Sequence, residues 1–166
     1  MQRPQAVLFD LDGTLLDTAR DLGNALNAVL RSENLPEIHY SQYRPIASNG
    51  AKGMLELGFG SRLVDYNFEQ LRAHFLDHYQ QNIWADTVAF EGVDVGLDYL
   101  LANQIPWGIV TNKPANLTTE LLTKFSLFEQ CQVVVSGDTL AERKPHPAPL
   151  LHAAAQINIA ANCIWY

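Results

Sequence analysis

The sequence predicts an α/β fold, in which helices cover a mostly parallel sheet and an all-helical segment follows the first strand. Beyond Asp86, short apolar runs typical of buried strands alternate with helical stretches. Residues 17–85 show helical periodicity only. We therefore expect an α/β core of residues 1–16 and 86–166, and a helical cap of residues 17–85.

The first half of the chain is predicted to contain one strand and then four helices. Residues 5–9 form a short apolar run typical of a buried strand. A helix from about Thr18 is indicated by apolar residues at helical spacing, namely Leu22, Ala25, Leu26, Val29 and Leu30. Further helices are expected at about 41–46, from Gly50 toward Leu57, and around Phe68, Leu71, Phe75, Leu76 and Tyr79.

The second half is predicted to alternate between helices and strands. Apolar runs of strand length are separated by segments long enough for helices. The expected helices are 91–103, 116–125 and 147–156, and the expected strands are 105–110, 132–135 and 163–166. Parallel strands need such crossover helices, so a parallel sheet follows from this order.

Composition excludes several classes of partner. The 166 residues carry a formal net charge of -7, which provides no basic surface for nucleic acid or for an anionic membrane. No apolar run approaches the roughly 20 residues of a membrane helix. The first residues lack the features of a secretory signal peptide, so we expect a cytoplasmic protein.

The most informative segment is the run Val7-Leu8-Phe9 followed by Asp10-Leu11-Asp12-Gly13-Thr14. Two carboxylates spaced two residues apart face the same side of a regular strand. Gly13 lets the chain turn sharply after them. One carboxylate can then act as a nucleophile toward phosphorus while the other transfers protons.

Polar residues also follow two later strands. Thr111 and Asn112 come after the strand that ends at Val110, where a hydroxyl and backbone N–H groups can hold phosphate oxygens. Lys144 precedes Pro145 just before a predicted helix, where a positive charge can face a phosphoryl group. Ligands of open parallel sheets bind at the carboxyl ends of the strands, so these residues are expected to share one site.

These three motifs, in this order, resemble the first three motifs of the haloacid dehalogenase-like hydrolase superfamily. The strings FDLDGTLLDT, GIVTNKP and SGDTLAERKPHPAPLL resemble its phosphoglycolate phosphatase branch, which includes sugar-phosphate and N-acetylmuramic acid 6-phosphate phosphatases. The resemblance covers nearly the whole chain. It implies a Rossmann-like core and a phosphatase that acts on a small phosphorylated metabolite, with 2-phosphoglycolate the first substrate to test.

The resemblance also implies a role for each matching residue. Asp10 would attack phosphorus and form an aspartyl phosphate, and Asp12 would protonate the leaving alkoxide and then activate water. Thr111 and the Asn112 backbone would hold phosphate oxygens, and Lys144 would neutralise charge near Asp10. Mg²⁺ would bind the Asp10 carboxylate and the Asp12 main-chain carbonyl. An acid at position 12 favours phosphate esters over halides, whereas mutases of the β-phosphoglucomutase type share both acids and remain an alternative.

Family members continue past the strand equivalent to residues 162–166 into a Gly-Asp turn and a further Asp, and this sequence contains no such fourth motif. From this difference we expect a missing last core strand and closing helices, weaker Mg²⁺ binding, and self-association through an exposed sheet edge. A non-catalytic fragment that binds phosphate or a partner chain is the alternative from another functional class. Within the cap, the candidates for substrate selection are Arg44, Asn49 and Lys52, which lie near Gly50 and Gly53.

Overall fold

The computed structural model describes residues 3–166. The chain forms two compact units. One, here called the α/β unit, comprises the chain up to Leu16 together with Ala89–Tyr166. The other, here called the helical unit, comprises Asp17–Val88.

The α/β unit contains a four-stranded sheet in which every pairing is parallel. Its strands lie in the order β5 (Val133–Val135), β4 (Trp107–Val110), β1 (Ala6–Phe9) and β6 (Ile164–Trp165). In chain order the elements are β1 Ala6–Phe9, α5 Val93–Ala102, β4 Trp107–Val110, α6 Ala115–Leu122, β5 Val133–Val135, α7 Ala148–Gln156 and β6 Ile164–Trp165. The predicted parallel α/β fold is confirmed, and each strand and helix lies close to its predicted range.

The centre of the sheet is shielded from solvent, since β4 is buried along its whole length. Parallel strands covered on both faces are expected to be apolar throughout, and the WGIV segment fits this rule. Gly108 is required here, since an added Cβ would lie 2.7 Å from the Val133 carbonyl oxygen of β5. The adjoining core consists of Leu8, Val110, Val133, Val135 and Ala153.

A second, two-stranded sheet was not predicted. It pairs β2 Leu16–Asp17 with β3 Val88–Ala89. Strands of two residues are too short to show the alternating pattern from which strands are recognised in a sequence. Their pairing depends on residues that are far apart in the chain.

The helical unit is built around a three-helix contact. Its helices are α1 Ala19–Ser32, α2 Tyr40–Tyr43, α3 Gly50–Phe59 and α4 Phe68–Gln81, and α1 packs against both α3 and α4. The apolar positions predicted for α1 are all buried. Among the described residues, none of the helices is both long and apolar enough to span a bilayer.

The helix predicted over 41–46 differs from the structure. The α-helical part stops at Tyr43, and the chain continues as a 3₁₀ helix over Arg44–Asn49. Pro45 lacks the backbone N–H that would continue the α-helical hydrogen bonding, so the change occurs where the ring enters. The periodicity of apolar residues alone does not predict this change from α-helix to 3₁₀ helix.

Asp21 connects α1 to the far end of the helical unit. Its carboxylate accepts hydrogen bonds from the Asp86 backbone N–H at 2.9 Å and from the Thr87 hydroxyl at 2.6 Å. The residue is only 2% exposed. Burial raises the pKa of Asp21 above 3.8, although the hydrogen bonds from Thr87 and Asp86 oppose part of that effect.

This buried carboxyl predicts a pH-dependent stability difference between wild type and Asp21→Asn. With a raised pKa in the folded state, Asp21 contributes stability that is fully present below pH 3.8 and is lost as pH rises through the folded pKa. The wild-type unfolding free energy, minus that of Asp21→Asn, should therefore fall across this window. Urea unfolding of both proteins from about pH 4 to pH 8 measures the difference. A difference that stays constant with pH would contradict the prediction.

Candidate active site

Three adjacent strands end at the same edge of the sheet. Phe9 of β1 pairs in register with Ile109 of β4, and Val110 of β4 pairs with Val135 of β5. The residues that follow these strands are therefore neighbours in space. This edge is where ligands bind to open parallel sheets.

The turn after β1 holds Asp10 and Asp12 on either side of the fully buried Leu11. Gly13 adopts a φ of 82°, a conformation that favours glycine, and its N–H donates to the Leu16 carbonyl at 2.8 Å. The Leu16 N–H in turn donates to the Leu11 carbonyl at 3.0 Å. These bonds close the turn, so the two carboxylates project from a fixed backbone.

Asp10 lies against Lys144. The Lys144 Nζ is 2.8 Å from the Asp10 Oδ1, which also accepts a hydrogen bond from the Leu11 backbone N–H at 2.8 Å. Both contacts fall on the same carboxylate oxygen. The side chains of Lys144 and Asp10 are 14% and 35% exposed, so the pair is open enough for a ligand to approach the carboxylate.

Two further groups hold Lys144. The Asn112 side-chain amide donates to the Lys144 carbonyl at 3.0 Å, and the Lys144 Nζ donates to the Tyr166 hydroxyl at 2.7 Å. That hydroxyl in turn donates to the Val110 carbonyl at 3.4 Å. The lysine is thus tied both to the loop after β4 and to the segment after β6.

Asp12 is paired with a different lysine, Lys113, which the sequence analysis missed as a site residue. The Lys113 Nζ lies 2.9 Å from the Asp12 Oδ1, and the Lys113 side chain is only 4% exposed. The position of Lys113, directly after Thr111 and Asn112 at a strand end, was the feature that could have identified it as a site residue. It had no predicted partner, because Asp12 and Lys113 are 101 positions apart.

The loop after β4 is held by β5 and by its own side chains. Thr111 is buried, and its backbone N–H donates to the Val135 carbonyl at 2.9 Å. The Thr111 Oγ1 accepts from the Lys113 backbone N–H at 3.2 Å. Gly137 lies so close that an added Cβ would meet the Asn112 carbonyl group. Thr111, Asn112 and Lys144 are thereby brought to one edge of the sheet, together with Asp10 and Asp12.

The three candidates for substrate selection lie in the helical unit. Arg44 forms an ion pair with Asp17 at 2.9 Å and donates to the Tyr40 hydroxyl at 2.6 Å. Asn49 directly precedes α3. Lys52 lies 3.8 Å from Glu56 and is 72% exposed. Arg44 is thus engaged within its own unit, whereas Lys52 extends into solvent.

The turn after β1 supplies carboxylate oxygens, a ligand type that suits a magnesium ion. No group of three or more His, Cys, Asp or Glu side chains suited to a metal occurs among residues 3–166. Mg²⁺ does not need such a group, since it keeps several waters and is often bound by one or two carboxylates together with substrate phosphate. The Asp10 side chain is 35% exposed, so its carboxylate is accessible to such an ion.

Comparison with known proteins agrees with this architecture. The family model described as haloacid dehalogenase-like hydrolase matches residues 7–166. The chain belongs to this hydrolase family. The match begins within β1 and includes every motif described above, so the resemblance noted from the sequence is confirmed.

Curated relatives of this hydrolase extend over nearly the whole chain. A phosphoglycolate phosphatase of Xanthomonas campestris pv. campestris is 45% identical over 166 residues, covering 99% of this chain and 75% of the relative. An N-acetylmuramic acid 6-phosphate phosphatase of Pseudomonas aeruginosa is 36% identical over 157 residues, covering 95% of this chain and 70% of the relative.

Solved structures of similar fold lead to the same family. A predicted phosphoglycolate phosphatase from Haemophilus somnus superposes with a TM-score of 0.86 at 26% identity, covering 99% of this hydrolase and 76% of that chain. A hydrolase from Pseudomonas syringae superposes with a TM-score of 0.71 at 25% identity, covering 98% and 74%. The α/β fold of this chain is therefore that of known family members.

Proposed function

We propose that this chain is a phosphatase that hydrolyses phosphate monoesters of small metabolites through an aspartyl phosphate on Asp10. The observation that carries the proposal is the pair of carboxylates at one strand end, each matched to its own lysine. Such an arrangement provides a nucleophile, a proton donor and positive charge at a single point. Phosphoryl transfer depends mainly on this kind of positioning and charge stabilisation.

In the first half-reaction, a carboxylate oxygen of Asp10 forms a bond to phosphorus as the ester P–O bond breaks. Asp12 enters this half-reaction in its protonated form and gives its proton to the departing alkoxide, which leaves as an alcohol. In the second half-reaction, Asp12 takes a proton from water as that water attacks the phosphorus of the aspartyl phosphate. Inorganic phosphate departs, and both side chains return to their starting protonation states.

The phosphoryl group would be held by the loop after β4 and by Lys144. Thr111 would contribute its hydroxyl and Asn112 its backbone N–H. The Lys144 ammonium would offset the negative charges of the phosphoryl group and of Asp10. The 2.8 Å contact between Lys144 and Asp10 supports this role, since it places the cation beside the nucleophile. These assignments follow the order of the motifs in the sequence.

Magnesium is the cofactor that these donors favour, with the Asp10 carboxylate and the Asp12 main-chain carbonyl as its proposed protein ligands. When bound, the ion would neutralise charge on the phosphoryl oxygens. The exposed side of Asp10 supports this assignment, because it leaves carboxylate oxygen available for a hard cation.

Chelation tests this assignment. Protein treated with EDTA is expected to lose hydrolysis of 4-nitrophenyl phosphate by on the order of 10²-fold or more, because charge stabilisation at phosphorus is removed. Added Mg²⁺ should restore the rate. Ca²⁺ should not, since it prefers more ligands at longer distances. Full activity in EDTA after dialysis would contradict the magnesium assignment.

The substrate class is proposed from the relatives. Those named above act, by name, on phosphoglycolate and on N-acetylmuramic acid 6-phosphate. We rank 2-phosphoglycolate first because the relative of highest identity named here carries that name. A panel of phosphorylated metabolites, compared by kcat/KM, tests this ranking, and a sugar 6-phosphate preferred over 2-phosphoglycolate by tenfold or so would reverse it.

We propose that residues 17–85 form a cap and that side chains of this helical segment select the substrate. Of its candidates, Lys52 is exposed, whereas Arg44 is paired with Asp17 within the same unit. Self-association stays a prediction. A cytoplasmic location likewise stays a prediction.

A further inference from the structure

The ion pair between Lys113 and Asp12 is nearly closed to solvent. The two side chains are 4% and 15% exposed, and the Nζ to Oδ1 distance is 2.9 Å. Exposed pairs are mobile and screened by salt, whereas a pair at this depth is screened much less. A charged hydrogen bond of this length also gives the carboxyl group a preferred orientation.

The backbone of Lys113 is itself anchored on several sides. Its N–H donates to the Thr111 hydroxyl oxygen at 3.2 Å, and its carbonyl accepts from the Gly137 N–H at 2.8 Å. The same carbonyl lies 3.3 Å from the Thr118 hydroxyl of α6. Lys113 therefore extends from a backbone held by the segment after β5 and by α6, and its ammonium group reaches Asp12 from a defined point.

Each of the two lysines of the site contacts a different carboxylate. Lys144 contacts Asp10, the proposed nucleophile, and Lys113 contacts Asp12, the proposed acid and base. We infer that Lys113 is a positioning residue, which orients the Asp12 carboxyl group for proton transfer to the leaving alkoxide. The inference rests on the proposed phosphatase function and extends it to a lysine of the second motif string to which the resemblance assigned no role.

This role has a chemical signature. An alkoxide needs a proton as it leaves, whereas 4-nitrophenolate is stable enough to leave without one. A misdirected Asp12 should therefore slow the first half-reaction, in which the ester bond breaks, much more for alkyl esters than for aryl esters. Because the attack of water on the aspartyl phosphate is common to both esters, the two are compared by kcat/KM, which reports the steps up to the breaking of the ester bond. Loss of a merely structural lysine would slow both esters to the same degree.

The test compares Lys113→Met and Lys113→Arg with wild type on glycerol 1-phosphate and 4-nitrophenyl phosphate. For Lys113→Met we expect kcat/KM to fall about 100-fold on the alkyl ester and about threefold on the aryl ester. Lys113→Arg keeps the charge and should recover part of the alkyl activity. The exposed Lys124 provides a matched control, and Lys124→Met should leave both rates unchanged.

A double-mutant cycle separates action through Asp12 from other effects. Asp12→Asn alone should also lower the alkyl rate selectively, and adding Lys113→Met should not change the ratio of alkyl to aryl rates further. Multiplicative losses in that ratio would overturn the inference. If Lys113→Met loses its cooperative thermal transition, the ratio measured for Lys113→Arg decides, since it should lie below wild type for a positioning role.

Other outcomes overturn the inference in recognisable ways. Equal losses on both esters would indicate a structural lysine. A rise in KM with unchanged kcat would indicate that Lys113 binds substrate directly. If wild type hydrolyses neither ester, both the proposed function and this inference fail. If wild type hydrolyses both esters and Lys113→Met slows both to the same degree, only this inference is overturned.

Discussion

Asp10→Asn is expected to abolish turnover, lowering kcat on 4-nitrophenyl phosphate by on the order of 10⁴-fold or more. The amide is nearly the same size as the carboxylate, and its oxygen can still accept the hydrogen bond from the Leu11 N–H. It is neutral and a poor nucleophile, so no acyl phosphate forms. Steady-state release of 4-nitrophenol in the presence of Mg²⁺ measures the loss.

An exposed aspartate of the α/β unit provides the matched control. Asp98 lies on the solvent side of α5, and Asp98→Asn should keep wild-type activity. Both variants should show the circular dichroism spectrum of the folded chain. If Asp10→Asn kept a tenth or so of the wild-type rate, direct attack by water would replace the aspartyl phosphate mechanism.

This substitution also separates enzyme from binding module. A chain that only binds phosphate would show no turnover in wild type, and Asp10→Asn would then change nothing in the assay. Turnover in wild type that disappears in Asp10→Asn excludes the non-catalytic alternative. Product analysis with a sugar phosphate tests the mutase alternative, because a mutase would return an isomeric phosphate ester instead of inorganic phosphate.

Lys144→Met is expected to lower kcat/KM by about 10²- to 10³-fold, the range for removing one preorganised charge-stabilising donor. The Lys144 Nζ is 2.8 Å from the Asp10 Oδ1, and methionine fills similar space without charge. Without that cation, a phosphate dianion would approach an uncompensated carboxylate. Initial rates on 4-nitrophenyl phosphate over a range of concentrations measure kcat/KM.

Two variants make the Lys144 result specific. Lys144→Arg keeps the charge but changes its geometry, so its activity should lie between those of wild type and Lys144→Met. Lys124→Met removes an exposed lysine and should have no effect. The Asn112 amide holds the backbone carbonyl of Lys144, so the loop should keep its place when the side chain changes. A loss smaller than threefold or so in Lys144→Met would contradict the assigned role.

Most secondary structure could be predicted because burial imposes a period on the sequence. In α1, Leu22, Leu26 and Val29 recur at helical spacing because one face of the helix is buried. The short apolar run of β4 is recognisable because both faces of that strand are covered. The β2 and β3 strands and the 3₁₀ helix after Tyr43 were missed, since elements this short depend on pairing or on a single proline.

The sequence by itself determined which chemical groups this hydrolase carries and which strand ends present them. Asp10, Asp12, Thr111 and Lys144 follow apolar strands, and parallel strands bring their carboxyl ends to one edge. The resemblance already implied that Lys144 lies near Asp10, whereas only the tertiary structure showed that Lys113 pairs with Asp12. A lysine can reach any carboxylate within the length of its side chain, so its partner is set by where the folded loops place its backbone.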